Sequence, residues 1–504
     1  MAENTGDFLT TAFEPFKSPV ASSGTGTSAA STGGAGAWPS TAELRSRATR
    51  RRHRRMAGGT SLGLAVVLAV GLTLSADNGH GDQRANGGGQ PNGGGQRANG
   101  KVQSLAGPDG SVHLVANVNP VTANGSYSKS EALAEQGFAL ELTREVAAMQ
   151  AGDNVLVSPL SADLDLAMLE LGSAGATTTQ IAAALQSSGL TPSQQATAWS
   201  NLVATMMGAS SGGEIHIANS LWVQRGLPIQ PSYLRAVGET FGNDTYQVDF
   251  TSNTAEQAIN AWVSVETAGR IKELFTPGEL IADTELVLAN ALHFHAAWAK
   301  TLFAAATVQQ VPFFTAGGAK VSSQMVVDSQ DSFLAGVTPA YKAVEIPYTN
   351  GRFAALLVEP APGTMASFLG GLTQTRLSTL TTSLRSESVY LKMPELALSA
   401  RALLNEPLSA MGMGPAFYEA NFSPMLGPRG AANQAIGVVQ QAATLNVNRW
   451  GTDAAAGTGA SVVPVDTHGT QARITFDHPY LFFIRDTVTG TILFSSVVND
   501  PTKG

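Results

Sequence analysis

Apolar positions recur with helical spacing early in the globular part of the chain and with strand spacing later. Between Ser130 and Gln150, Phe138, Leu142, Val146 and Met149 fall on one helical face. Ser158-Pro159 offers an N-cap followed by a proline at the first helical position. The helix after it lines up Leu160, Leu164, Met168 and Leu171 and stops at Gly172. Thr177-x-x-Gln180 has the form of a capping box opening another helix. At Leu286 the pattern changes: Leu286 to Leu292 is a continuous apolar run, as expected of a strand buried on both faces. Asn350-Gly351 between Val344–Tyr348 and Phe353–Val358 is a hairpin signal. Tyr480–Arg485 and Thr491–Val498 flank a turn ending at Gly490. Helices lead and strands follow, so the predicted class is α+β with mostly antiparallel sheet.

The N-terminal pattern differs. Residues 1–44 are rich in Gly, Ser, Thr and Ala and read as disordered. Arg45, Arg47, Arg50, Arg51, Arg52, Arg54 and Arg55 precede an uncharged stretch from Met56 to Ala76, long enough to cross a hydrocarbon layer. The expected organisation is a cytoplasmic tail over 1–56, a membrane-spanning helix over 57–76, a Gly-rich tether over 77–125 and one domain over 126–504. The tether carries Gln83-Arg84-Ala85-Asn86-Gly87 and the same five residues again at Gln96–Gly100. Arginines before the span keep that side in the cytoplasm and put the domain outside. The competing reading is a leader cleaved after Leu74-Ser75-Ala76, which would make the protein secreted; Leu74 stands where cleavage prefers a small residue.

Composition sharpens this. The chain has 504 residues, 43% of them hydrophobic, which is incompatible with a wholly disordered protein. It has no cysteine, which excludes disulfides, thiol nucleophiles and cysteine-held metals. The net charge of −8 combines +4 over residues 1–56 with −12 over the rest, so no nucleic-acid partner is expected. No cofactor is expected either.

Enzyme-like matches are weak. Ser126-Tyr127-Ser128-Lys129 has the Ser-x-x-Lys form, but no Lys-Thr-Gly follows. Gly208-Ala209-Ser210-Ser211-Gly212 has the nucleophile-elbow form with a helix before and a strand after, the reverse of what that motif needs. His293 and His295 share one strand face, as a metal could use, without an evident third ligand; no metal site is expected. A membrane-anchored acyl enzyme using Ser126 or Ser210 is the remote alternative.

The informative segment begins at Gly451. Gly451, Thr452, Asp453, Ala454, Ala455, Ala456, Gly457 and Thr458 open a run of small residues inside a domain, too near the C-terminus to link a second one. Extended, it places Thr452, Ala454, Ala456 and Thr458 on one uncharged face and Asp453 on the other. Such a segment can be exposed in one state and slide into a sheet in another. A large or charged residue at Thr452 would resist that burial.

Several blocks, in order, resemble the serpin family over residues 127–503. They are Asn154 to Ser161; Asn260-Ala261-Trp262-Val263 with Thr267 to Leu274; Leu286–Ala291 with Phe294 and Trp298; Phe417 with Asn421-Phe422-Ser423; Gly451 to Ala456; and Asp477 to Asp486 with Val498-Asn499. The resemblance implies helices packed on a large sheet, smaller sheets and an exposed reactive loop near the C-terminus. It implies a monomeric suicide inhibitor of serine proteases, whose cleaved loop inserts as a new strand. Gly451 to Thr458 would be the loop hinge, and Ser158, Ser161, Asn290, Gln441 and Trp298 the cluster where the sheet opens. Family spacing puts the reactive bond at Val465–Asp466, within a range from Val463 to His468. No Lys or Arg occurs between Trp450 and Arg473, which points to elastase-like or subtilisin-like proteases. Two departures stand out. Arg449 and Trp450 replace a glutamate pair before the hinge, which bears on the rate of insertion. Gln441 replaces a histidine and can still donate and accept. The alternative is a non-inhibitory serpin-fold binding protein.

Overall fold

A computed structural model describes residues 102–118, 127–208, 213–242, 244–299, 302–329, 331–349, 351–431, 434–453 and 472–504. The expected tail, spanning segment and most of the tether lie outside these residues, as do Ser126, Ser210, Ala454 to Thr458, Val465 and Asp466. Among the described residues no helix is long and apolar enough to cross a membrane.

Strands β1 (Val102–Ala106) and β2 (Val112–Ala116) come first. Then follow α1 (Lys129–Met149), β3 (Val155–Val157), α2 (Pro159–Leu171), α3 (Ala176–Ala184) and α4 (Pro192–Gly208). Next are β4 (Gly213–Gln224), α5 (Pro231–Thr240), β5 (Thr245–Val248), α6 (Thr254–Glu266) and β6 (Leu286–Ala297). A run of strands follows: β7 (Thr307–Phe314), β8 (Lys320–Asp328), β9 (Ser332–Val337), β10 (Tyr341–Pro347) and β11 (Phe353–Pro360). After two short helices come β12 (Arg385–Pro394), β13 (Leu396–Leu403), β14 (Val438–Asn448), β15 (Gly451–Thr452), β16 (Ala472–Thr475), β17 (Tyr480–Asp486) and β18 (Ile492–Val498).

The strands form an eight-stranded sheet, ordered β1-β2-β5-β4-β6-β15-β14-β13, and a ten-stranded sheet running from β3 through β18 and β17 to β7. Most pairs are antiparallel; β4–β5, β6–β14 and β12–β16 are parallel. Helix α2 packs on β4, β6 and β18, which explains why it is buried almost all round, acidic residues included. Helix α6 covers the opposite face of the eight-stranded sheet, with Ile259 and Trp262 in one cluster with Trp222, Val287, Ala289 and Ala291. Strand β6 is therefore buried on both faces, as its continuous apolar run over Leu286–Leu292 predicts.

Three local expectations need correction. The tether expected over 77–125 is structured over Val102–Ala116: β1 and β2 form a hairpin that pairs with β5 and widens the sheet. The capping box at Thr177 does not form. The N-cap is Gly175, and the Thr177 hydroxyl instead accepts from the Asn421 amide at 2.9 Å. Ser158 is the N-cap of α2 by position, but its hydroxyl donates to the Leu493 carbonyl of β18 at 2.9 Å.

Candidate functional site

The eight-stranded sheet is split at one end. Over Val438–Ala443, β14 lies directly against β6, with Gln441 beside Asn290. Beyond that, β15 wedges between them: Gly451 pairs with Ala297 and Asn448, and Thr452 with Ala296 and Val447. Gly451 has φ 150°, and a Cβ there would lie 2.1 Å from the Ala296 carbonyl oxygen, so only glycine fits. Thr452 is 1% exposed and its hydroxyl shares a 2.6 Å hydrogen bond with that of Tyr348.

Trp298 belongs to this end. Its indole donates to the Asn448 carbonyl at 2.9 Å, its amide to the Trp450 carbonyl at 3.1 Å, and its ring stacks on Tyr348 at 4.6 Å. It therefore does not join Asn290, which lies eight residues along the strand, about 26 Å away at the usual rise. Arg449 and Trp450 hold the root of the loop: the guanidinium lies 4.1 Å from the indole centre and donates to the Ala306 carbonyl at 3.2 Å.

Asp453 directly follows β15 and has φ 51°. Its carboxylate is nearly buried and accepts from Asn446 Nδ2 at 2.6 Å; its second oxygen lies 3.1 Å from His293 Nε2 and 4.0 Å from Arg270 Nε. Burial pushes this carboxyl up, but the hydrogen bonds from His293 and Asn446 and the charges of His293 and Arg270 more than reverse that, leaving it below the ordinary value.

Ser158, Ser161, Asn290 and Gln441 do come together. The Gln441 side chain accepts from the Ser158 amide at 2.7 Å and donates to the Ser158 carbonyl at 2.8 Å, using both ends of the amide. The Ser161 hydroxyl donates to Asn219 Oδ1 at 3.1 Å, and Asn290 Nδ2 donates to Asp165 at 3.2 Å. Register sets Asn219, Asn290 and Gln441 side by side across β4, β6 and β14. Sequence reasoning missed Asn219, Asp165, Tyr348 and Asn446. Asn219 had a signal, being the polar residue in the alternation Ile215, Ile217, Asn219, Leu221. Asp165 had none, since its burial comes from α2 being enclosed by two sheets.

Of the weak enzyme-like motifs, Ser126 and Ser210 lie outside the described residues. Lys129 opens α1, and Ser128 caps it in a reciprocal bond with Glu131. His293 is taken by Asp453 rather than poised for a metal. Among the described residues, Glu359, Asp477 and His478 offer three converging donor atoms. Lys342 Nζ already sits there, 2.8 Å from Glu359 and 3.2 Å from Asp477, supplying the positive charge.

Comparison with known proteins agrees with this geometry. Residues 133–501 match the family model described as serpin (serine protease inhibitor). An uncharacterised serpin-like protein of Thermococcus kodakarensis is 30% identical over 73% of this chain and 85% of its own length. Serpin-Z1C of Triticum aestivum is 30% identical over 72% of this chain and 94% of its own. Among solved structures, the thermophilic serpin tengpin in its native state superposes with a TM-score of 0.67 at 22% identity, over 76% of this chain and 97% of that one. Thyroxine-binding globulin in complex with thyroxine gives 0.66 at 24% identity, over 73% and 99%. The fold, the split sheet and the sequence relatives converge: the chain belongs to the serpin family, a family of protease inhibitors, and is not an enzyme.

Proposed function

We propose that this serpin is a suicide inhibitor of serine proteases of elastase-like or subtilisin-like preference, acting through cleavage of its loop and insertion between β6 and β14. The observation that carries this reading is one of register. β14 keeps the same offset against β6 where the two touch directly and where β15 separates them. A longer β15 can thus enter without either neighbour slipping. Continuing both registers brings Thr458 between Asn290 and Gln441, and Val462 to the level of Leu286 at the start of β6. The inward face is then Thr452, Ala454, Ala456, Thr458, Ala460 and Val462, uncharged throughout. The bait bond Val465–Asp466 falls just beyond the sheet. We further propose that residues 57–76 anchor the chain, with the Arg45–Arg55 cluster cytoplasmic and the inhibitor outside; the arginine-then-apolar order supports this.

The test is incubation of the full chain and of residues 77–504 with pancreatic elastase and with subtilisin. The expected result is a covalent complex that survives SDS, with the full chain alone retained in the membrane fraction. Thr452→Arg should be cleaved without forming the complex, because its charge would be forced into the buried face. Clean wild-type cleavage with neither complex nor gain in stability would refute inhibition and leave the binding-protein alternative.

A further inference from the structure

Two histidines share the outer face of β6 near the hinge. His293 and His295 are two residues apart, so they point the same way, with ring centres 6.4 Å apart. His293 is buried and bonded to Asp453. His295 is half-buried, and its Nδ1, shielded from water, has no hydrogen-bond partner among the described residues. The register of β15 shows what could fill that vacancy. Gly451 faces Ala297 and Thr452 faces Ala296, so the next residue of an extended strand, Asp453, comes opposite His295. On the other side the same step puts Asp453 opposite Asn446, which already holds it by backbone and side chain.

We propose that β6 carries two successive seats for the Asp453 carboxylate, His293 before the loop enters the sheet and His295 after. In the first seat Asp453 is left-handed, which ends the extended backbone of β15, while its carboxylate ties β6 to β14 and lies 4.0 Å from Arg270 after α6. β6 and β14 are the strands that must part. In the second seat the backbone is extended, the carboxylate has moved two residues along the face of β6, and Asn446 remains beside it. His293 and His295 are thus positioning residues for the hinge, each serving one state. β4 sets His216 and Glu214 opposite them in register. The proposal rests on the loop-insertion reading above.

The experiment compares guanidinium unfolding midpoints of the full chain, intact and after limited cleavage of the loop by thermolysin, a metalloprotease that forms no acyl enzyme and so releases the cleaved chain. His293→Leu should lower the midpoint of the intact form and leave that of the cleaved form unchanged. His295→Leu should do the reverse. Asp453→Ala should lower both, and His293→Gln, which keeps a donor near the Nε2 position, should restore the intact form. If His293→Leu does not fold, His295→Leu and Asp453→Ala still decide. Equal shifts of both forms by either histidine variant would overturn the two-seat arrangement while leaving insertion intact. A wild-type chain that gains no stability on cleavage would overturn insertion and the seats together.

Discussion

Glu170 shows how much one enclosed side chain can weigh on this fold. It lies in α2, fully buried, and neither carboxylate oxygen has a hydrogen-bond partner among the described residues. Burial pushes its pKa from an ordinary 4.5 up to about 7. The folded chain therefore keeps a proton that the unfolded chain gives up between these values. Stability from this group falls as pH rises from 4.5 and is fully lost above 7, a difference of about 3 kcal/mol. Glu170→Gln removes the titration. It should stabilise the protein by up to about 3 kcal/mol at pH 8 and change little at pH 4. Urea midpoints at the two pH values check this, and an equal gain at both would refute it. Asp165, in the same helix, is also pushed well up by burial, though Asn290 opposes the shift with a hydrogen bond. It has a task Glu170 lacks, since it holds the Asn290 amide in the row that Asn219, Asn290 and Gln441 form across the sheet.

The β1–β2 hairpin is the element that most changes the sequence picture. Its His113 ring stacks on Tyr246 at 4.5 Å, and Tyr246 stacks on Trp222 at 4.4 Å. Its turn, Pro108–Gly110, packs against α6, and Arg225 donates to the Gly110 carbonyl at 2.6 Å. Leu114 and Ala116 enter the core. A chain starting at residue 118 should therefore be less stable than one starting at 102, by about 2 to 4 kcal/mol from lost apolar and ring contacts. Calorimetric midpoints compare the two; identical values would mean the hairpin rests on the sheet without supporting it. The hairpin was legible in part. Pro108-Asp109-Gly110 separates Val102–Ala106 from Val112–Ala116, a turn between short apolar runs, but the glycine-rich repeat before it masked the change in composition. The hairpin at Asn350-Gly351 and the buried run of β6 were legible because each is fixed by local pattern. The Thr177 box failed because Asn421, distant in sequence, competes for the hydroxyl. Trp298 went to the wrong group for a related reason. A family motif gives neighbours along the chain, whereas Trp298 stands just past the end of β6, eight residues from Asn290.

At the scale of the whole molecule, the absence of cysteine becomes an experimental advantage. The proposed insertion requires β6 and β14 to separate over the stretch where they now pair, and no disulfide crosses that seam. Ala291 and Ala442 are register partners there, both buried beneath α6. Neighbouring strands lie about 4.8 Å apart, within the Cα range that a disulfide tolerates. With no other thiol in the chain, Ala291→Cys with Ala442→Cys has one possible intramolecular pairing, and the burial of both positions disfavours pairing between molecules. Oxidised, this variant should keep its split end and its hinge yet admit the loop no further than about Ala455. A protease should then cut it as an ordinary substrate, with no SDS-stable complex and no rise in the unfolding midpoint. Reduction should restore both in the same sample, which separates the crosslink's effect from that of the substitutions. Full inhibition by the oxidised form would mean that the loop acts without passing between these strands, and the registers on either side of β15 would then have no part in the mechanism.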